Sequence, residues 1–351
     1  MAGGAGTRFW PVSRQQRPKQ FLDILGTGRT LLQQTADRLL KTIPKEHLYI
    51  VTHKAYLGLV QEQLPELDAH QILLEPSRRN TAPCIAYALA RIQAENPDAN
   101  IVIAPSDHLI GNEDAFLDQI AKAFEFSGKQ DGMVTLGIRP SRPDTGYGYI
   151  QFIPQATEGE VHKVKTFTEK PNEELARSFI SSGDFLWNSG LFISSAATLQ
   201  KAFLQYQPEM YGIFRDMRAV FRTADEGRQL ELAYGQCTNI SIDYAIFEKA
   251  TNVYVIPSEF GWSDLGTWGS LYENSPKDAE GNAVVGKKLR LYDTRNCIIH
   301  VPKDKLVVAQ GLDGYIVVES DGILLICKKE QEQEIRQMVT NVKVQWGDEF
   351  A

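Results

Sequence analysis

The first half of this chain is built from continuous apolar runs that do not alternate, set between segments of helical period, and no other feature limits its fold as tightly. His47–Thr52, Gln71–Leu74, Asn100–Ala104 and Gly132–Ile138 read as strands. Thr30–Ile43, Lys54–Leu64, Asn80–Glu95 and Glu113–Phe126 read as the helices between them. In the first helix Thr30 and Gln33 have capping-box spacing, and Leu32, Ala36, Leu39, Leu40 and Ile43 form one stripe. Asn80–Glu95 opens on Asn-Thr with Pro83 in its first turn. Strands without alternation, separated by helices, predict an α/β domain whose mostly parallel sheet is covered on both faces.

The middle reads as mixed. Tyr147–Ile153, Val161–Glu169, Phe185–Ser194 and Asn252–Ile256 are expected strands; Asn172–Ser182, Ala196–Tyr206, Glu209–Arg222 and Ile242–Ala250 are expected helices. In the tail, short apolar runs begin at Ile298, Leu306, Tyr315 and Ile323, with glycine- and aspartate-bearing turns between them. That rhythm fits a meander or a short solenoid. A closing helix follows, with Ile335, Met338, Val339 and Val342 on one face. The spacing predicts a domain boundary near residue 280, giving 1–280 and a β-rich 281–351. The chain opens at Met1-Ala2-Gly3-Gly4, inside a glycine turn of the kind that follows the first strand of a parallel α/β domain. The expectation is therefore a truncated chain or a sheet lacking that strand.

Composition bounds the function. Over 351 residues, 37 Lys plus Arg against 44 Asp plus Glu leave a net charge of −7, which argues against a basic nucleic-acid-binding face. Cys84, Cys237, Cys297 and Cys327 are scattered, with the spacing of neither a disulfide framework nor a zinc site. No signal peptide and no apolar run long enough for a bilayer is visible. A cytoplasmic protein without membrane or nucleic-acid partners is expected.

Gly3-Gly4-Ala5-Gly6-Thr7-Arg8 is the first chemically informative segment. Its glycines allow close backbone approach to a ligand, and its N–H groups can form an anion nest. Arg8, Arg14, Arg17 and Lys19 follow with no acid between them. No Gly-Lys-Ser/Thr follows, and Phe9 stands where a dinucleotide fingerprint has its third glycine, which speaks against a nicotinamide enzyme. An ordinary glycine turn beside a solvated basic stretch is the plainer reading; with the basic cluster, phosphate binding is the stronger one.

Gly-Gly-Ala-Gly-Thr-Arg-Phe-Trp-Pro-Val-Ser-Arg from Gly3, followed by Pro18-Lys19-Gln20-Phe21, resembles the signature of sugar-nucleotide pyrophosphorylases, in the form of the mannose-1-phosphate guanylyltransferase branch. The resemblance runs over nearly the whole chain. It implies a Rossmann-like nucleotidyltransferase domain that condenses GTP with mannose 1-phosphate, with Mg²⁺ as cofactor. A related enzyme of another base or sugar, or a non-catalytic subunit of the same fold, stands as the alternative; a homodimer stays open.

Further segments appear in the family's order, each with a plainer structural role beside the functional one. Glu75 ends a strand ahead of Asn80 and Thr81, either of which would cap the next helix. A carboxylate there can accept the guanine N1–H and N2–H donors, a pair that adenine and uracil lack, and the resemblance implies that this segment holds the base. Ser106-Asp107-His108 ends another strand; Asp107 is a turn cap or a hard oxygen ligand for Mg²⁺. Asp264, in Trp262-Ser263-Asp264-Leu265-Gly266, is a helix-terminus charge or the second ligand. The resemblance implies that Asp107 and Asp264 share the metal. Gly148 suits a bulge or close approach to a sugar; Glu169 and Lys170 form a surface pair or bind sugar hydroxyls and phosphate; Asn188 offers an amide. The resemblance places these three segments in the sugar-phosphate pocket. It also implies Gly3, Gly4, Gly6, Thr7 and Arg8 around the nucleotide, with Arg8 and Lys19 catalytic and Asp243 as indirect support.

Overall fold

The structure, a computed structural model, describes residues 1–4 and 7–350. In chain order the first half comprises α1 (Leu31–Leu39), β1 (Ile50–His53), α2 (Leu57–Gln63), β2 (Ile72–Glu75), α3 (Thr81–Glu95), β3 (Asn100–Ile103), β4 (Leu109–Ile110), α4 (Glu113–Lys129) and β5 (Met133–Ile138). The middle adds β6 (Gly148–Glu158), β7 (Val161–Glu169), α5 (Glu173–Ser182), β8 (Phe185–Ser195), α6 (Ala196–Tyr206), α7 (Pro208–Asp216), α8 (Glu226–Gln236), β9 (Val253–Ser258), β10 (Trp262–Ser263) and α9 (Trp268–Asn274). The tail holds β11 (Ala283–Val285), β12 (Lys288–Tyr292), β13 (Ile298–His300), β14 (Leu306–Gln310), β15 (Tyr315–Ser320), β16 (Ile323–Lys328) and α10 (Ile335–Trp346).

The local signals act where the sequence places them. The Thr30 hydroxyl accepts from Gln33 N–H while Gln33 Oε1 accepts from Thr30 N–H, a complete capping box. Asn112, Asn172 and Ser195 cap α4, α5 and α6 through their side chains. Two elements differ from expectation. The helix expected over Ile242–Ala250 is shorter, a five-residue π-helix over Asp243–Phe247. The helix α8 is not evident in the sequence, because Gly227 and Gly235 sit inside it and its apolar stripe is thin.

The main sheet has six strands in the order β3-β8-β5-β9-β7-β6. The α/β class stands, but the sheet is mixed where the sequence predicts a mostly parallel one. Only β5–β9 runs parallel within it; β3–β8, β5–β8, β6–β7, β6–β8 and β7–β9 are antiparallel. Unbroken apolar runs report that both faces are covered, not which way the neighbouring strand runs. β1 and β2 form a separate parallel pair. Between β1 and β3 lies an apolar cavity of about 440 Å³ lined by residues such as Leu39, Ile85, Leu89 and Ile101. Met1 and Ala2 close one end of it: Ala2 N–H donates to Val51 O at 2.7 Å, and Ser106 N–H to Met1 O at 3.1 Å.

The tail is a parallel coil rather than a meander. β11, β13 and β15 stack in parallel in one sheet and β12 and β14 in another, with β16 returning antiparallel to β15. It packs on the first domain through one apolar cluster. Phe9, Trp10, Ile24, Leu265 and Trp268 meet Ile298, Ile316, Leu325 and Ile335 there. The Trp10 indole also donates to Phe350 O at 2.6 Å, and the Arg14 guanidinium to Ser320 O at 3.0 Å.

Candidate active site

The candidate side chains fall into three groups of polar residues. In the first, Glu75 at the end of β2 is buried, and its Oε1 accepts from Tyr234 O–H at 3.1 Å. Burial pushes its carboxyl up to about 7, against the partial relief of that hydrogen bond. Gly3 approaches so closely that a Cβ there would lie 2.8 Å from Glu75 Oε2. The loop is pinned by side chains. Gln20 Nε2 donates to Ala2 O and Gly4 O, both at 2.9 Å, and Arg78 Nε donates to Gly3 O at 3.2 Å. Asn80 caps α3 by accepting Thr81 N–H at 2.9 Å, and the Thr81 hydroxyl accepts Ile242 N–H at 2.8 Å. Both side chains are therefore committed to structure on the faces described. Ser106 is buried beside Met1. Gly6 lies outside the described residues, and Thr7 opens a short 3-10 turn, Thr7–Phe9.

The second group lines a polar cavity of about 380 Å³. Arg8, Lys19, Asp107, Asp264 and Arg336 face it, with His108 and the Leu265-Gly266 turn. Lys19 is buried, and its ammonium meets three oxygens: Asp107 Oδ2 at 3.0 Å, Asp264 O at 2.7 Å and Leu265 O at 3.1 Å. Burial alone would raise the Asp107 carboxyl; the Lys19 charge and hydrogen bond outweigh it and hold the group below its ordinary value. Asp264 Oδ1 accepts from Tyr147 O–H at 2.8 Å and Gly266 N–H at 2.9 Å. Burial lowers the His108 imidazole below its ordinary value, and its Nδ1 accepts from the Trp262 indole at 3.1 Å.

Asp107 Oδ1 and Asp264 Oδ2 accept no hydrogen bond among the described residues. No group of three or more His, Cys, Asp or Glu side chains among those residues is arranged to enclose a metal. Two carboxylates facing one cavity, with further oxygen ligands left to a substrate, are the donor set a hard divalent cation takes at a phosphate site.

The third group surrounds β6, β7 and β8. Gly148 pairs with Glu169 across β6 and β7, and a Cβ on Gly148 would collide with the Glu169 carboxylate. Glu169 is paired with the exposed Lys170, which takes a positive φ of 48°. The Asn188 amide donates to Asp243 Oδ1 at 2.9 Å and accepts from Gly190 N–H at 3.1 Å. Asp243 is pushed up to about 6, first by burial and then by the Glu169 charge. Tyr147 bridges this group to the second: its hydroxyl reaches Asp264, its ring contacts Trp187 and Trp262, and its carbonyl accepts from Lys170 N–H at 3.1 Å.

The sequence therefore locates the groups but misses their internal partners. Tyr234 supports Glu75 from an unanticipated helix, and Tyr147 lies in a segment valued only for its glycines. Arg336 comes from the tail, where nothing local marks it as facing a polar cavity.

A buried lysine and two aspartates face one cavity, and the chain belongs to the nucleotidyl transferase family, whose model matches residues 1–281. Residues 290–342 match the MannoseP isomerase/GMP-like beta-helix domain. Among curated relatives, the alginate biosynthesis protein AlgA of Pseudomonas aeruginosa is 38% identical over 355 residues, covering 99% of this chain and 72% of its own. Mannose-1-phosphate guanylyltransferase ManC of Salmonella typhimurium is 36% identical over 353 residues, covering 98% and 72%. The crystal structure of mannose-1-phosphate geranyltransferase from Thermus thermophilus superposes with a TM-score of 0.88 at 31% identity, covering 98% of each chain.

Proposed function

We propose that this protein transfers GMP from GTP to α-mannose 1-phosphate, forming GDP-mannose and releasing pyrophosphate. One observation carries the reading: Arg8, Lys19, Asp107 and Asp264, remote in sequence, line a single cavity beside the glycine loop. The named relatives above supply the sugar and the base. An oxygen of the sugar phosphate attacks the α-phosphorus in line. The new P–O bond forms as the bond to the β-phosphate breaks, and the electron pair leaves with pyrophosphate. No covalent enzyme intermediate is required, so catalysis is positioning and charge neutralisation.

Two anions must meet, and each unit repulsion at 4 Å costs about 4 kcal/mol at an effective dielectric near 20. Lys19 contributes a fixed positive charge, because its three donors are already engaged. Arg8 is exposed at the cavity and supplies mobile donors for the phosphates. Asp107 and Asp264 would hold Mg²⁺, which when bound neutralises phosphate oxygens. Gly3 and Gly4 bring the backbone against the nucleotide, and Glu75 accepts from guanine. Glu169 and Asn188 orient sugar hydroxyls beside Gly148, and Lys170 takes the sugar phosphate. Residues 1–280 form the substrate-binding domain in this reading, and 281–351 the tail. No helix among the described residues is long and apolar enough to cross a membrane. We place the enzyme in the cytoplasm, in keeping with four buried, unpaired cysteines.

The test is pyrophosphate release by purified protein with Mg²⁺, comparing GTP, ATP, UTP and dTTP against several hexose 1-phosphates. Release confined to GTP with mannose 1-phosphate is the expected result. Preference for another pair reassigns the substrates, and no release with any pair overturns the reading.

A further inference from the structure

We propose that Arg336, carried by the tail helix α10, binds the β- and γ-phosphates of the nucleoside triphosphate and the pyrophosphate they become, so that the tail forms one wall of the active site. This rests on the nucleotidyltransferase reading above and adds a contact from outside the matched domain.

The geometry of α10 leads to it. Ile335 is buried in the cluster that joins the tail to Phe9, Leu265 and Trp268. Just before the helix, Glu332 Oε2 accepts Gly269 N–H at 2.6 Å in the first turn of α9, directly after the Asp264 turn. These two anchors, on either side of the helix start, fix the position from which Arg336 projects. It lines the same cavity as Arg8, Lys19, Asp107 and Asp264, and shares a second small hollow with Arg8.

Charge and donor supply decide its role. The Lys19 ammonium has all three N–H groups committed to protein oxygens, so it can offer charge but no further hydrogen bond. Arg8 and Arg336 are the remaining cations on the cavity wall, and among the described residues neither has a carboxylate within 4.0 Å. That is notable for Arg336, whose approach carries Glu330, Glu332 and Glu334. An exposed guanidinium left unpaired among acids, facing a cavity that already holds a fixed ammonium, suits a ligand of high negative charge. The planar fork of arginine matches two phosphate oxygens at once, and pyrophosphate presents such pairs.

The experiment reads pyrophosphate directly. Inorganic pyrophosphate is titrated with Mg²⁺ into the full chain by calorimetry, comparing wild type, R336A and R336K. R336A is expected to bind roughly 10-fold more weakly or worse, with R336K between the two. In the reverse reaction, KM for pyrophosphate should rise similarly in R336A while KM for GDP-mannose stays fixed. Because Arg336 is exposed and unpaired, the thermal midpoint should not move. Equal pyrophosphate affinity in wild type and R336A overturns the proposal, as does an equal rise in KM for both reverse substrates. If pyrophosphate binding weakens in R336A but wild type turns over no nucleotide and sugar phosphate, the substrate reading fails and the anion site stands.

Discussion

The polar cavity and the buried end of β2 handle the same chemical group in opposite ways. Glu75 ends β2, and Asp107 lies in the loop between β3 and β4. Asp107 stands 3.0 Å from a buried ammonium and is held ionised below its ordinary range. Glu75 is buried with a tyrosine hydroxyl for company and is pushed up to about 7. The difference lies in the partner, since burial raises both. A cation beside the first keeps a charge where, in the proposed reaction, phosphates and a metal would need it. A neutral donor beside the second leaves the carboxyl poised to ionise when a ligand brings its own N–H groups.

The sharpest way to break this contrast is to remove the charge at Asp107. Asp107→Asn should lower turnover about 1,000-fold in a pyrophosphate-release assay, with its dependence on divalent cation lost as well. Lys19→Ala should lower turnover by a similar order while raising KM for the sugar phosphate little, because its ammonium is fixed on the protein rather than on the sugar. The double variant Lys19→Ala/Asp107→Asn should be scarcely worse than either single one, as expected for groups that act as a unit. Multiplying losses would show that the ion pair has no shared catalytic role.

Glu75 tests the other side through pH. If its carboxylate accepts from guanine, KM for GTP should fall as pH rises from 6 to 8 through about 7. Glu75→Gln should flatten that profile and narrow the preference for GTP over ATP. Stability runs the other way. The folded value lies above the ordinary 4.5, so the unfolded chain ionises first. The stability of the neutral, buried form is fully present below pH 4.5 and is lost as pH rises through about 7. Thermal midpoints of Glu75→Gln and wild type should therefore coincide below pH 4.5, separate as pH rises from 4.5 to about 7, and stay a constant distance apart above that. The variant becomes the more stable one, by roughly 3 kcal/mol at most. Parallel pH profiles of the two proteins would mean that Glu75 ionises alike in the folded and the unfolded chain.

Much of this site was legible because its residues sit at strand ends, and strand ends follow from apolar runs that stop at polar residues. Glu75 and Asp107 could be placed that way, as could the capping by Thr30, Asn80 and Asn172. Strand direction could not, since β8 reads the same whether β3 and β5 flank it parallel or, as they do, antiparallel. The partners that set each carboxylate's behaviour also stayed hidden. Tyr234 and Glu75 are separated by 159 positions, and Lys19 and the Asp264 carbonyl by 245. Only the closed fold makes them neighbours. The tail's rhythm gave the starts of β13 to β16, whereas its solenoid pairing depended on β11 and β12, which lie ahead of the recognised runs.

The smallest expected effect lies at Lys170, where function and stability should separate cleanly. Its ammonium is exposed while the Glu169 carboxylate it pairs with is mostly buried, and a pair open to solvent at its cationic end contributes about 1 kcal/mol or less. Its backbone sits at φ 48°, a region that glycine enters without cost and other residues do not. Lys170→Ala keeps that strain and removes the charge; Lys170→Gly removes both. Both variants should raise KM for mannose 1-phosphate roughly 5-fold to 10-fold, as loss of one charge-assisted contact predicts, while KM for GTP stays unchanged. Lys170→Gly should match or slightly exceed the wild-type thermal midpoint, by up to about 1 kcal/mol in stability. Lys170→Ala should stay level with wild type. A glycine variant that melts lower than the alanine variant would mean that the lysine side chain, not the backbone, holds the end of β7 in place.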